Sequence, residues 1–304
     1  MDIDKIQAVN VVRCVVSIIS IVGNSFLLYL FYSNPHLRRA HCNILVMMLN
    51  VCDLLIGIGV FIRVSYTLYI NSNNITVYNR LECLYFNHVQ GLGIIGGQVV
   101  LVGIAVDRFY AIFRPLQYSR SKSRKWIYFL TFLAVILPLN SMVVKTVGVT
   151  NDVPLTICSA GSAASRNFAI INVIYSLSFL TLIFVFYTSA LILVVVRIKS
   201  KFSGQEKKEY LIQRKVFVSV SFILITAVVT FGVPMVIQMV GLLYPLSREM
   251  KGFITVYIGL GTMINSALNV FIYLFKHGDI NKCFKACPEA RVTFHYSGLR
   301  HQGL

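Results

Sequence analysis

One carboxylate of this chain, Asp53, falls in the middle of a long apolar run, Leu49-Asn50-Val51-Cys52-Asp53-Leu54-Leu55. An ionisable group in hydrocarbon is costly and is usually kept for function. Polar residues able to meet it stand in other apolar runs: Asn24 after Gly23, and Asn265, Ser266 and Asn269. Asn265 and Asn269 are four apart and share one helix face. Such groups suit a hydrogen-bonded network around Asp53, with water or a sodium ion (Na+) as a further occupant; a neutral, protonated Asp in a packing network is the alternative. A second combination closes the third apolar run: Asp107-Arg108-Phe109, followed by Pro115-Leu116. It sets a fixed cation and an apolar knob at a membrane boundary, a surface suited to gripping a partner. Read alone, Arg108 is a boundary residue snorkelling to lipid heads.

The same inventory excludes other chemistry. The histidines His36, His41, His88, His277, His295 and His301 lack metal-ligand spacing. No glycine-rich phosphate loop or nucleophile elbow is present. The last apolar run has no lysine before Lys276, so a Schiff base has no amine there. No acid falls in the outer half of the runs, which leaves a cationic amine without a buried counter-ion. An enzyme is not expected, and no cofactor is required.

The elements that must position these residues follow from composition. The 304 residues are 57% hydrophobic and 13% charged, with a mean hydropathy of +0.73. A membrane helix needs roughly 20 apolar residues. Seven runs qualify: about Ala8–Tyr32, Cys42–Ile70, Cys83–Phe109, Trp126–Val147, Phe168–Val196, Val216–Tyr244 and Phe253–Phe275. They alternate too little for barrel strands. The expectation is an all-α integral membrane protein, a seven-helix bundle over about 8–275 with a tail at 276–304, forming one unit over 1–304.

The net charge of +17 does not call for nucleic acid. With the N-terminus outside, 20 of the 28 Lys and Arg lie on the inner side. That is the positive-inside pattern, and it turns the basic excess towards anionic lipid heads. The first run is too long for a signal-peptide core, so an uncleaved helix is expected. On this orientation Asn74-Ile75-Thr76 is an outside glycosylation acceptor. Cys83 and Cys158 share the oxidising side, where a bridge can form; two free buried thiols are the alternative. Cys283 and Cys287, beside the last run, are palmitoylation candidates or plain thiols.

Taken in order, these motifs resemble the rhodopsin-like (class A) G-protein-coupled receptors along essentially the whole chain. The text Gly23-Asn24-Ser25-Phe26-Leu27-Leu28 and Leu37-Arg38-Arg39-Ala40-His41-Cys42-Asn43-Ile44-Leu45 is most similar to nematode serpentine chemoreceptors of class sx. The resemblance implies a plasma-membrane chemoreceptor of sensory neurones, placed in their cilia, and a short amphipathic helix after helix seven. It implies an external small-molecule or short-peptide ligand and coupling to a heterotrimeric G protein; an endogenous neuropeptide receptor or a non-signalling seven-helix protein are the other readings. It pairs Cys83 with Cys158. It makes Arg108 the residue released to the G protein and Leu116 the knob that enters it, with Tyr187 and Tyr273 holding the open form.

The chain departs from the family pattern in places. Val270 stands for the helix-seven proline, and helix six has Phe231-Gly232-Val233-Pro234 with no tryptophan before Pro234. The only Trp is Trp126, so the aromatic switch is absent or passes to Phe231. Arg214 and Lys215 replace the acid that often locks the family's arginine, so two cations would repel Arg108 and leave the resting state loosely locked. Helix position assigns Arg63, His88, Gln90, Asn172, Tyr175, Gln238 and Tyr257 to the ligand pocket. Arg63 is expected to be the only cation there, binding a carboxylate or peptide terminus or else snorkelling to outer lipid heads.

Overall fold

A computed structural model describes residues 6–75, 77–121, 123–151, 155, 157–198, 204–244, 248–276, 280–281 and 283–284. Its helices are α1 (Gln7–Ser33), α2 (His41–Ser72), α3 (Arg80–Phe86), α4 (His88–Phe113), α5 (Pro115–Arg120), α6 (Lys125–Thr146), α7 (Ala160–Ala163), α8 (Arg166–Ile198), α9 (Gly204–Ala227), α10 (Val233–Leu243) and α11 (Arg248–Lys276). A π-helical turn, Val228–Gly232, joins α9 to α10 without a break. Among the described residues, seven helical segments are long and apolar enough to cross a membrane, carried by α1, α2, α4, α6, α8, α9–α10 and α11.

Burial differs from that of a water-soluble protein: beside an apolar core, polar residues are buried and large apolar ones face outward. Ser20, Asn24, Asn50, Ser266 and Asn269 are fully buried, while Val22, Tyr128, Phe132, Val143 and Phe184 are largely exposed. In hydrocarbon the outer face must be apolar, and backbone groups must be satisfied within each helix. α4 packs against α2, α6 and α8 and so forms the central post. Its approach to α2 is close: a Cβ on Gly93 would meet the carbonyl oxygen of Cys52 at 2.5 Å. Small residues permit such backbone contact between membrane helices.

Two boundaries differ from the sequence expectation. Cys83 does not begin the third crossing; it sits in the separate helix α3. Asn79 caps that helix, its Oδ1 accepting from the Leu81 and Glu82 amides at 3.0 and 3.2 Å. The sixth segment starts at Gly204 rather than Val216, because the polar Gln205–Lys208 stretch continues the helix beyond its apolar part. Val270, which stands for the helix-seven proline of the resembling family, leaves α11 continuous through that position.

Past α11, residues 280, 281, 283 and 284 are helical, the described part of the expected short helix. Ile280 is fully buried in the main core, and Phe284 packs edge-on against Phe26.

Candidate functional site

At one end of the bundle the Cys83–Cys158 disulfide, with Cα atoms 5.5 Å apart, fastens the α6–α8 loop to α3. A short antiparallel bridge supports it, the Tyr78 amide donating to the Leu155 carbonyl at 2.8 Å and the Leu155 amide returning to Tyr78 at 3.3 Å. Beneath this roof lies a cavity of about 140 Å³. Arg63, His88, Gln90, Asn172 and Gln238 line it as expected.

Two expected residues do not. Tyr175 lies on a neighbouring cleft between α6 and α8, and it is half exposed. The Tyr257 hydroxyl instead donates to the Val229 carbonyl at 3.5 Å. Arg63 does not snorkel; it is buried, and a Cβ on Gly259 of α11 would stand 3.7 Å from its Nη2. Nor is it the only cation. Lys145, from the last turn of α6, lines the same cavity and is equally buried. The two charges are close enough to repel one another.

Deeper in the bundle, Asn269 Nδ2 donates to Asp53 Oδ2 at 2.9 Å. Asn24 and Ser266 do not reach the carboxylate. Ser266 Oγ donates to the Asp53 backbone carbonyl at 2.9 Å and lies 2.5 Å from Ser20 Oγ. Asn24 Nδ2 donates to the carbonyls of Ser20 and Ser266 at 2.8 and 3.5 Å. These two residues therefore staple α1, α2 and α11 through backbone oxygens, with Ser20 as a member that sequence position did not suggest. A cavity of about 50 Å³ adjoins Asp53 and is lined also by Gln98, Thr262 and Asn265. The side-chain oxygens of Gln98 and Asn265 are buried without a hydrogen-bond partner.

At the opposite end Arg108 is 1% exposed. Its Nε donates to Asp107 Oδ2 at 3.0 Å, and its Nη2 pairs with the same oxygen. Nη2 also donates to the Tyr118 hydroxyl at 2.8 Å, and that hydroxyl donates to both Asp107 oxygens at 3.1 Å. Tyr118 is brought there by α5, which folds back with buried Pro115 at its first position. Burial holds the Tyr118 phenol well above the usual tyrosine range, so it keeps its proton. From α9 the group facing Arg108 is Gln213, whose Oε1 accepts from Nη1 at 3.4 Å. Arg214 and Lys215 are exposed, so the expected repulsion by two cations does not occur. Leu116 is half-buried on α5, which packs against α9.

Phe109 and Tyr187 belong to one apolar cluster, where Tyr187 stacks on Phe217 with ring centres 5.3 Å apart. Tyr273 is fully buried. The Phe231 backbone lies in the π turn, and Pro234 follows as the second residue of α10; the Phe231 side chain lies outside what is described. Asn74 is exposed with a φ of 55° in the turn after α2. Cys283 Sγ lies 3.5 Å from His36 Nε2, and Cys287 falls outside the described residues.

Residues 17–287 match the family described as "Serpentine type 7TM GPCR chemoreceptor Srsx". Among curated proteins, the chain is 25% identical over 192 residues to the melatonin receptor type 1A of Phodopus sungorus, covering 62% of this chain and 53% of that one. It is 30% identical over 125 residues to nematocin receptor 2 of Caenorhabditis elegans, covering 38% and 30% of the two chains. The chain thus spans about half the length of the first of these relatives and less than a third of the second.

Proposed function

Because the chain belongs to the Srsx family of serpentine seven-transmembrane, G-protein-coupled chemoreceptors, we propose that it binds an external small molecule beneath the disulfide roof and activates a heterotrimeric G protein at the Arg108 end. On this reading it lies in the plasma membrane with its N-terminus outside. The observation that carries the proposal is the course of the sixth segment. Met235 and Gln238 of α10 line the roofed cavity, Gln213 of α9 holds Arg108, and the π turn lies between them. Inserted π turns are recurrent at functional sites. A ligand that moves α10 can swing α9 about this turn, withdraw Gln213 and free Arg108. A cavity of about 140 Å³ suits a small molecule better than a peptide.

A promiscuous G-protein reporter in cells, screened with a chemical library, tests the reading. An active compound should lose its response in Arg108→Ala at equal surface level and equal ligand binding. Failure of any surface-bound ligand to recruit a G protein would reject it.

The cavity beside Asp53 fits a sodium ion in its donor chemistry: one carboxylate and the unpartnered oxygens of Gln98 and Asn265, hard oxygen ligands suited to a hard cation. Bound there, Na+ would supply the charge that keeps Asp53 ionised. If so, replacing sodium by a bulky organic cation should change agonist affinity severalfold, and Asp53→Asn should erase that dependence.

A further inference from the structure

Two cavities meet under the roof. The first, about 140 Å³, is lined by Arg63, His88 and Lys145. The second, about 80 Å³, lies between α6 and α8. Ile95, Ser141, Phe168 and Asn172 line both, so the two spaces adjoin across a single wall of side chains. Beyond that wall Ile136, Ile171 and Tyr175 line the second space and are exposed on the bundle's apolar outer face. α6 and α8 pack loosely against each other here.

The two spaces differ in chemistry. Lys145 is 4% exposed and shares the cavity wall with Arg63 and His88. Among the described residues no Asp or Glu lines this cavity. A buried cation left without an opposite charge is strongly unfavourable, and a bound anion removes that cost. Among the described residues, the second space has no charged lining, and its polar side chains are Asn140, Ser141, Asn172 and the Tyr175 phenol. An anion alone would leave it unfilled, and an apolar molecule alone would leave Lys145 uncompensated.

Resting on the reading of the roofed cavity as the ligand site, we infer that the ligand is an amphiphilic carboxylate. Its head pairs with Lys145 and Arg63, and its short flexible apolar chain passes Ser141 and Asn172 into the α6–α8 cleft. Such a molecule matches the site in charge at one end and in hydrophobicity at the other, and the cleft opens on the lipid from which its chain can enter.

The test uses the full chain in lipid nanodiscs, titrated with straight-chain carboxylates from butanoate to dodecanoate, each beside its methyl ester, with thermal stability as readout. The acids should stabilise the receptor with an optimum at intermediate length, and the esters should bind at least tenfold more weakly. Lys145→Gln should lose at least tenfold in acid affinity, whereas Lys145→Arg should keep most of it. Ile171→Trp, which fills the cleft, should move the optimum to shorter chains. The inference is overturned if no acid in the series binds or if esters match their acids. It is overturned equally if a folded Lys145→Gln receptor, judged by its own melting curve, binds acid like the parent. No G protein enters this readout. Acid binding without G-protein recruitment would therefore reject the coupling proposal alone, and recruitment by agonists with no preference for acids would reject this inference alone.

Discussion

One position separates Gln213 from Arg214, and one position is a rotation of about 100° around a helix. That rotation decides what Arg108 meets. Gln213 offers a neutral oxygen to the guanidinium, while Arg214 points away into solvent. A hydrogen bond to a charged group contributes about 1.5–3 kcal/mol at good geometry; at 3.4 Å this one is long, but it is the contact that ties Arg108 to α9. We expect Gln213→Glu to lower ligand-free signalling about tenfold and Gln213→Leu to raise it by a similar factor, read by reporter output normalised to surface receptor. Arg214→Glu should change little. Tyr118→Phe removes the hydroxyl shared by Asp107 and Arg108 and should raise basal output severalfold in the same assay.

Which residues could be read from sequence follows from how unusual each is in its setting. Asp53 and Asn269 are expensive in an apolar run, and of the groups expected around Asp53 Asn269 is the one that meets its carboxylate. Lys145 escaped notice for the opposite reason. A lysine at the end of an apolar run ordinarily stretches to the lipid heads. Only the packing of the helices, which sets it in the cavity wall beside Arg63 and His88, makes it an interior charge. Tyr118 needed the fold-back of α5, and the choice between Gln213 and Arg214 needed the rotational setting of α9. Neither can be obtained from a run of apolar residues.

At the level of elements, prolines and glycines on adjacent helices act together. Proline cannot donate to the carbonyl four residues back. For Pro138 that carbonyl belongs to Ala134, and a Cβ on Gly96 of α4 would stand 3.2 Å from it. For Pro234 the preceding π turn bonds five residues back, so the carbonyl left without its amide is that of Val229, which accepts from the Tyr257 hydroxyl of α11 at 3.5 Å; a Cβ on Gly261 of the same helix would collide with the neighbouring Thr230 carbonyl oxygen. Each glycine thus admits a backbone oxygen of the neighbouring proline-containing helix. Gly23 has a related task, since a Cβ there would come within 2.8 Å of both Val270 methyl carbons. The branched residue in place of a proline therefore has its complement on α1. Overpacking of this kind costs about 1–3 kcal/mol. Gly23→Ala should lower the melting temperature of the solubilised receptor by several degrees, and adding Val270→Ala should restore most of it. An additive loss in the double variant would show that the two positions do not share one contact.

Across the whole molecule, the fold class was plain from hydropathy because hydrocarbon admits few backbone solutions and long helices are the simplest. Hydropathy does not say how the crossings are rotated or what covers their ends, and the candidate site is made of those two things. Cleaving the Cys83–Cys158 bridge releases a closed loop of 75 residues, worth about 4 kcal/mol in the chain-entropy account. Cys158→Ser should therefore weaken agonist potency by tenfold or more in the reporter assay, with a smaller effect on basal output.

That bridge also has a consequence in time. Ser159, next to Cys158, is part of the cavity wall, so the wall is finished only when two thiols have been oxidised. Thiols stay reduced in the cytosol and pair in the lumen of the secretory route. On the proposed orientation, a newly made chain meets its ligand with an unfinished wall until its outer loops have crossed into that lumen. Ligand recognition is then a property the receptor gains only once its outer loops have entered an oxidising lumen, so a chain held under reducing conditions should bind ligand poorly.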